Sequence, residues 1–240
     1  MNLPLGLDHC FSIISAQLQP PHTGAAYRNG TRRRAITISR QSGSGGHAVA
    51  ARLAELLQTK TPPDERPWTV FDRNLVERVL EDHHLSSRLA RFMPEDRIGE
   101  VSDTIDELFG LHPPSWTLVR KSADTILHLA ELGNVILIGR AANVITRKLD
   151  DVFHVRLVGS LEKRVKYMQE FEHLDYKSAL ELVDREDLGR RRYLKKYFDK
   201  EIDDPLLYHM VINTDLVPYE EAAHLIADAV TAKVEAEAVP

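Results

Sequence analysis

The segment from Ala35 to Leu57 constrains this chain more than any other. Ala35-Ile36-Thr37-Ile38-Ser39 reads as a strand, Gly43, Gly45 and Gly46 as a tight loop, and Val49, Leu53, Leu56 and Leu57 recur at helical spacing. Glycines let a backbone approach a ligand closely. Amide hydrogens at the positive end of a helix dipole stabilise phosphate oxygens. Arg40, Ser42, Gly43, Ser44, Gly45, Gly46 and His47 are therefore the candidate phosphate-binding residues. Further strands are expected at Trp68–Phe71, Val135–Ile138, Val152–Val158 and Met210–Ile212. The run Val135–Ile138 is apolar without interruption, as a central strand covered on both faces would be. Helical spacing is expected around Leu75–Leu80, Trp116–Leu132, Leu161–Glu170 and Glu220–Val230. The alternation predicts an α/β fold on a five-stranded parallel sheet.

The flanks and insertions read differently. Leu7, Phe11, Ile14 and Leu18 predict an N-terminal helix, and Pro20-Pro21 with the Gly- and Arg-rich stretch after it a linker, so that 1–34 precede a domain at 35–235. Residues 82–115 are polar and broken by Pro94, Pro113 and Pro114, the pattern of an inserted helical lobe that closes over a ligand. Hydrophobic residues at 43% and charged residues at 28% are ordinary globular values, which excludes collagenous and wholly disordered classes. No apolar run reaches the about 18 residues of a membrane span, and no secretory signal pattern opens the chain. With Cys10 as the single cysteine, a reducing, cytoplasmic setting is expected and no internal disulfide can form. The net charge of −5 argues against a nucleic-acid polymer as partner, while leaving room for a local anion pocket.

Such a pocket has candidates at the strand ends. Gly139-Arg140 follows the third expected strand, which puts Arg140 at the carboxyl edge of the sheet, where open α/β folds bind ligands. Asp72-Arg73 ends the second strand in the same way. From Arg185 to Lys200 seven basic residues, among them Arg190, Arg191 and Arg192, oppose Glu186, Asp187 and Asp199. Arginines that close over a transferring phosphoryl group stabilise its charge and exclude water. The eleven histidines show no metal-ligand spacing, and the sequence assigns no metal ligand.

Against the pattern G-x-x-x-x-G-K-[ST], the window from Arg40 to His47 keeps Gly45 but has Arg40 for the first glycine, Gly46 for the lysine and His47 for Ser/Thr. Gly43-x-Gly45-x-x-Ala48 also fits a dinucleotide fingerprint, with Asp72 on the ribose. Arg40, Gln41 and Ser42 separate the strand from Gly43, a longer lead than that turn uses, and the downstream arginines suit phosphoryl rather than hydride transfer.

Taken together, Ile36–His47, Phe71–Arg73, Ile138–Arg140, Asp184–Phe198 and Asp204–Thr214 resemble the cytidylate-kinase-like proteins, relatives of bacterial cytidylate kinase among the nucleoside monophosphate kinases. The resemblance covers roughly Ala35 to Val230. It implies a three-layer P-loop kinase core, an inserted monophosphate-binding lobe at 82–115 and a basic lid at 184–202. It also implies ATP and Mg²⁺, with CMP, dCMP or a related nucleoside monophosphate as acceptor, and leaves room for an oligomer. On that footing Ser42 to His47 wrap the donor phosphates, and Asp72, Arg73 and Arg140 face the monophosphate. Arg140, Arg185, Arg190 and Arg191 carry the charge of the transferring group. This chain departs from standard cytidylate kinases at Gly46 and His47, where Lys and Ser/Thr or Gly stand, and at Ala141, where Asp stands. Gly46 and Ala141 motivate an alternative: a nucleotide-binding regulator on the same fold with weak or no turnover. Arg40 is a cation at the other end of the loop that could substitute for the lysine.

Overall fold

The structure is a computed structural model that describes residues 34–63, 65–72 and 117–237. The expected N-terminal helix and linker, Arg73, the helix after it and the lobe at 82–115 lie outside the described residues, apart from Arg34. Five strands, β1 (Ala35–Arg40), β2 (Thr69–Phe71), β3 (Val135–Ile138), β4 (Val152–Val158) and β5 (Met210–Asn213), form one parallel sheet in the order β2-β3-β1-β4-β5. β1 therefore holds the centre, pairing Ile36 with Ile136 on one side and Phe153 on the other. β3, expected to be central, lies one place out. Its apolar run reflects burial on both faces, which an interior strand has at any position but the edge.

Helices α1 (Gly46–Thr59), α2 (Thr117–Leu132), α3 (Ala142–Ile145), α4 (Leu161–Glu172), α5 (Tyr176–Phe198) and α6 (Tyr219–Glu237) cover the sheet. Strand side chains alternate between faces, and the two faces build two cores. Ile36, Ile38, Ile136, Ile138, Val155 and Leu157 pack with Val49, Leu53 and Leu57 of α1 and Ala223, Ile226 and Ala227 of α6. Ala35, Phe71, Val135 and Leu137 pack on the other side with Ala123, Ile126 and Leu127 of α2. Helix, sheet and helix make three layers.

On that second face the alternation turns polar towards the carboxyl ends of the strands. Thr37 Oγ1 lies 2.9 Å from His154 Nδ1, and the Arg156 guanidinium, 4% exposed, donates to Ser39 Oγ at 2.9 Å. A second Arg156 nitrogen meets Asp203 at 2.6 Å. Tyr208 donates from its hydroxyl to the Ile202 carbonyl at 2.8 Å. Every one of these buried polar groups has a partner, as burial requires. The cluster forms the floor on which the end of α5 and the turn after it rest.

The segment 184–202, expected as a lid, is the second half of the 23-residue helix α5 and the turn that follows. Asp175 starts this helix by accepting from the Ser178 amide at 2.8 Å, and Asp199 ends it in left-handed backbone. α4 and α5 share a small core of their own: Val165, Met168, Ala179 and Val183.

Candidate functional site

The loop between β1 and α1 owes its path to two glycines. Gly43 and Gly45 have φ of 79° and 78°, a left-handed conformation that side chains rarely adopt. A Cβ on Gly43 would overlap the Arg164 carbonyl oxygen, and one on Gly45 the Tyr219 ring, so the loop is wedged between α4 and α6. Its backbone is held from both sides. The Gln41 amide donates to the Leu157 carbonyl at 3.0 Å, Ser44 Oγ donates to the Gln41 carbonyl at 2.8 Å, and an Arg164 nitrogen donates to the Ser42 carbonyl at 3.0 Å. Gly45 is the N-cap of α1 and brings no side chain to its first amides. The loop thus presents a rigid cradle and an uncapped helix start together.

At the carboxyl edge of the sheet, beside this loop, lies a cavity of about 550 Å³. β1 contributes Ser39 and Arg40. The turn after β3 contributes Gly139, Arg140 and Ala141, three successive residues with φ of 83°, 54° and 58°. That left-handed run swings the chain sharply out of the strand, so Arg140 reaches the cavity. From α5 come Arg185, Glu186, Gly189, Arg190 and Tyr193, spaced three to four residues apart on one face. Among the described residues four arginines, Arg40, Arg140, Arg185 and Arg190, therefore converge on one space with a single carboxylate, Glu186, in its lining. An anion with several oxygens suits such a lining.

The acidic members of α5 fasten the helix to the loop. Asp187 accepts from the Ser42 amide at 2.8 Å and pairs with Arg164 and Arg190, each at 2.7 Å. Ser42 Oγ donates to Glu186, which also pairs with Arg190 at 3.3 Å. Burial pushes the Glu186 carboxyl up. The Ser42 hydroxyl, Arg190 and Arg40 outweigh burial and hold it below the usual glutamate range. For Tyr193 burial pushes the phenol above its usual range against the lowering influence of Arg140.

Of the residues expected from sequence, Arg40, Arg140, Arg185 and Arg190 meet at the cavity, and Ser42 stands next to it through Glu186. Arg191 does not join them; it lines a small neighbouring cleft with Gln41 and Arg156 and lies 3.6 Å from Asp203. The reason is helical geometry: Arg190 and Arg191 point about 100° apart. Asp72 stands 3.7 Å from His47 across the start of α1. Gly46 is buried and His47 exposed. Sequence reasoning missed Glu186, Asp187, Asn143 and Tyr193 as site residues. The spacing 186, 189, 190, 193 would have shown one face had the segment been read as helix.

A model of the cytidylate kinase-like family matches residues 35–216. The cytidylate kinase of Pyrobaculum islandicum is 31% identical over 195 residues, covering 80% of this chain and 90% of its own. That of Pyrobaculum aerophilum is 26% identical over 196 residues, with the same coverage of 80% and 90%. An uncharacterized protein from Eubacterium ventriosum shares the fold with a TM-score of 0.65 at 21% identity, over 84% of this chain and 99% of its own.

Proposed function

Because this chain belongs to the cytidylate kinase-like family, we propose that it transfers the γ-phosphoryl group of ATP to CMP, dCMP or a related nucleoside monophosphate. The observation that carries the reading is the convergence of Arg40, Arg140, Arg185 and Arg190 on one cavity beside the glycine loop. Phosphoryl transfer demands little covalent chemistry from a protein. It demands positioning and stabilisation of charge on the equatorial oxygens. On this reading the loop from Ser42 to His47 holds the donor phosphates, and Arg140, with Asp72 and Arg73, faces the acceptor. Arg185 and Arg190 approach from α5, while Arg191 stands a step further out.

The residues present fit a nucleotide as donor: the left-handed Gly43 and Gly45 set the path of the loop, and α1 begins behind it without a side-chain cap. Among the described residues no group of three or more His, Cys, Asp or Glu is arranged to hold a metal ion. Mg²⁺ would come with the nucleotide, held largely by its phosphates, where it would neutralise developing charge. The single cysteine of the sequence favours a reducing, cytoplasmic setting for the reaction, and among the described residues no helix is long and apolar enough to cross a membrane. Family membership lends no support to the dinucleotide reading.

Two observations favour a second reading, a nucleotide-binding regulator: Gly46 leaves the loop without the lysine, and Glu186 and Asp187 hold the Ser42 hydroxyl and amide. The deciding experiment supplies Mg-ATP with a panel of nucleoside monophosphates and separates the products by chromatography, with Arg140→Ala alongside. Turnover of CMP or dCMP that falls about 10²–10³-fold in Arg140→Ala is expected. Binding of nucleotide without turnover of any acceptor would overturn the kinase reading and leave the regulator.

A further inference from the structure

Two of the loop's three departures from G-x-x-x-x-G-K-[ST], Arg40 and Gly46, lie side by side. A Cβ on Gly46 would stand 3.0 Å from Arg40 Cγ, 3.4 Å from Arg40 Cβ and 3.5 Å from Arg40 Cδ. The stem of Arg40 thus crowds the place where a side chain at 46 would begin and would have to give way by a few tenths of an ångström. Its guanidinium runs on to the end of β3, where a Cβ on Gly139 would overlap Arg40 Nη1. There it joins Arg140 and Glu186 on the cavity. One side chain lies against both glycines.

We propose that Arg40 delivers, from the first position of the loop, the cation that a lysine delivers from the seventh, and that Gly46 is glycine because the Arg40 stem lies across it. The proposal rests on the loop's being a nucleotide phosphate site. The Arg40 guanidinium reaches Gly139 with Nη1 nearest and lines the cavity, and a guanidinium can take two phosphate oxygens at once. The two departures are then one relocation of charge. A lysine at 46 and an arginine at 40 would compete for the same volume.

The test compares Arg40→Met, Arg40→Lys, Gly46→Lys and the double variant Arg40→Met with Gly46→Lys. Binding of Mg-ATP and of inorganic tripolyphosphate is measured by calorimetry, and turnover with the best acceptor by chromatography. Methionine keeps most of the stem, and thermal unfolding of each variant checks that the fold persists. Arg40→Met should weaken both ligands by at least about tenfold and lower turnover about 10²–10³-fold, with Arg40→Lys between it and the parent. Gly46→Lys alone should also weaken binding, whereas the double variant should recover at least about tenfold over Arg40→Met. Arg40→Met within about threefold of the parent in both ligands, or a double variant no better than Arg40→Met, would overturn the proposal. If the parent binds both probes and phosphorylates nothing, the kinase reading fails while the binding series still decides Arg40. If the parent binds neither, both fall.

Discussion

Glu186 shows how one side chain joins the loop to α5 and makes the junction sensitive to acid. Its carboxyl is held below the usual glutamate range in the folded chain, because the Ser42 hydroxyl, Arg190 and Arg40 outweigh the burial that pushes it up. A carboxyl depressed on folding contributes stability above its unfolded pKa and loses that contribution as pH falls through the folded value. Between the two values the unfolded chain binds more protons than the folded one, so stability rises with pH. Urea unfolding from neutral pH down through the glutamate range should therefore show a steeper acid loss for the parent than for Glu186→Gln. Equal slopes would mean that the Ser42 and Arg190 contacts do not discriminate the charged carboxylate. The nearby arginines were legible as residue types; that a glutamate would sit among them was not, because charge opposition along a sequence does not say which charges meet in space.

At the scale of elements, α5 is one continuous helix whose middle is clamped to the β1–α1 loop. Asp187 stands at the centre of that clamp, serving the Ser42 amide, Arg164 and Arg190 together. Arg164 is nearly buried, with its side chain 9% exposed, so loss of its carboxylate leaves a charge with little water. Asp187→Ala should cost about 1.5–3 kcal/mol in urea unfolding, the range for hydrogen bonds to charged groups. Amide exchange in residues 41–46 should accelerate at the same time. A stability loss without faster exchange in the loop would place the contribution of Asp187 within α4 and α5 alone. Ser42 and Asp187 are 145 residues apart in sequence, and no local periodicity encodes such a bond. The helix itself was within reach of the sequence: Asp175 is a strong N-cap residue, and Ala179 and Val183 recur at four-residue spacing. The arginines and lysines that follow dilute that apolar pattern over the second half of the helix.

At the scale of the whole molecule, the described residues form a sheet with a core on each face, and their stability resides there rather than at the rim. Leu127 of α2 is fully buried against the face that carries Phe71 and Leu137, whereas Leu206, beside the edge strand β5, is 85% exposed. Leu127→Ala should cost about 2–5 kcal/mol, the range for truncating a buried leucine. Leu206→Ala should stay within about 0.5 kcal/mol, as exposed substitutions do. Both are read from chemical denaturation midpoints at constant slope. A cost at Leu206 as large as that at Leu127 would show that this leucine is covered in solution.

The sequence by itself determined the local units: the strands, the glycine loop, the helix after it, and an arginine following the apolar strand Val135–Ile138. Each follows from side-chain shape and spacing within about ten residues, where backbone propensity and the period of burial act. Only the tertiary structure decided the strand order, which gives β1 the centre. It also turned Thr37, Ser39, His154 and Arg156 to one face, brought Glu186 and Asp187 onto Ser42, and laid the Arg40 stem across Gly46. These contacts join positions that are remote in sequence or lie at opposite ends of a loop. They form because buried polar groups must find partners and side chains must share volume, and both demands are met only after the chain has packed.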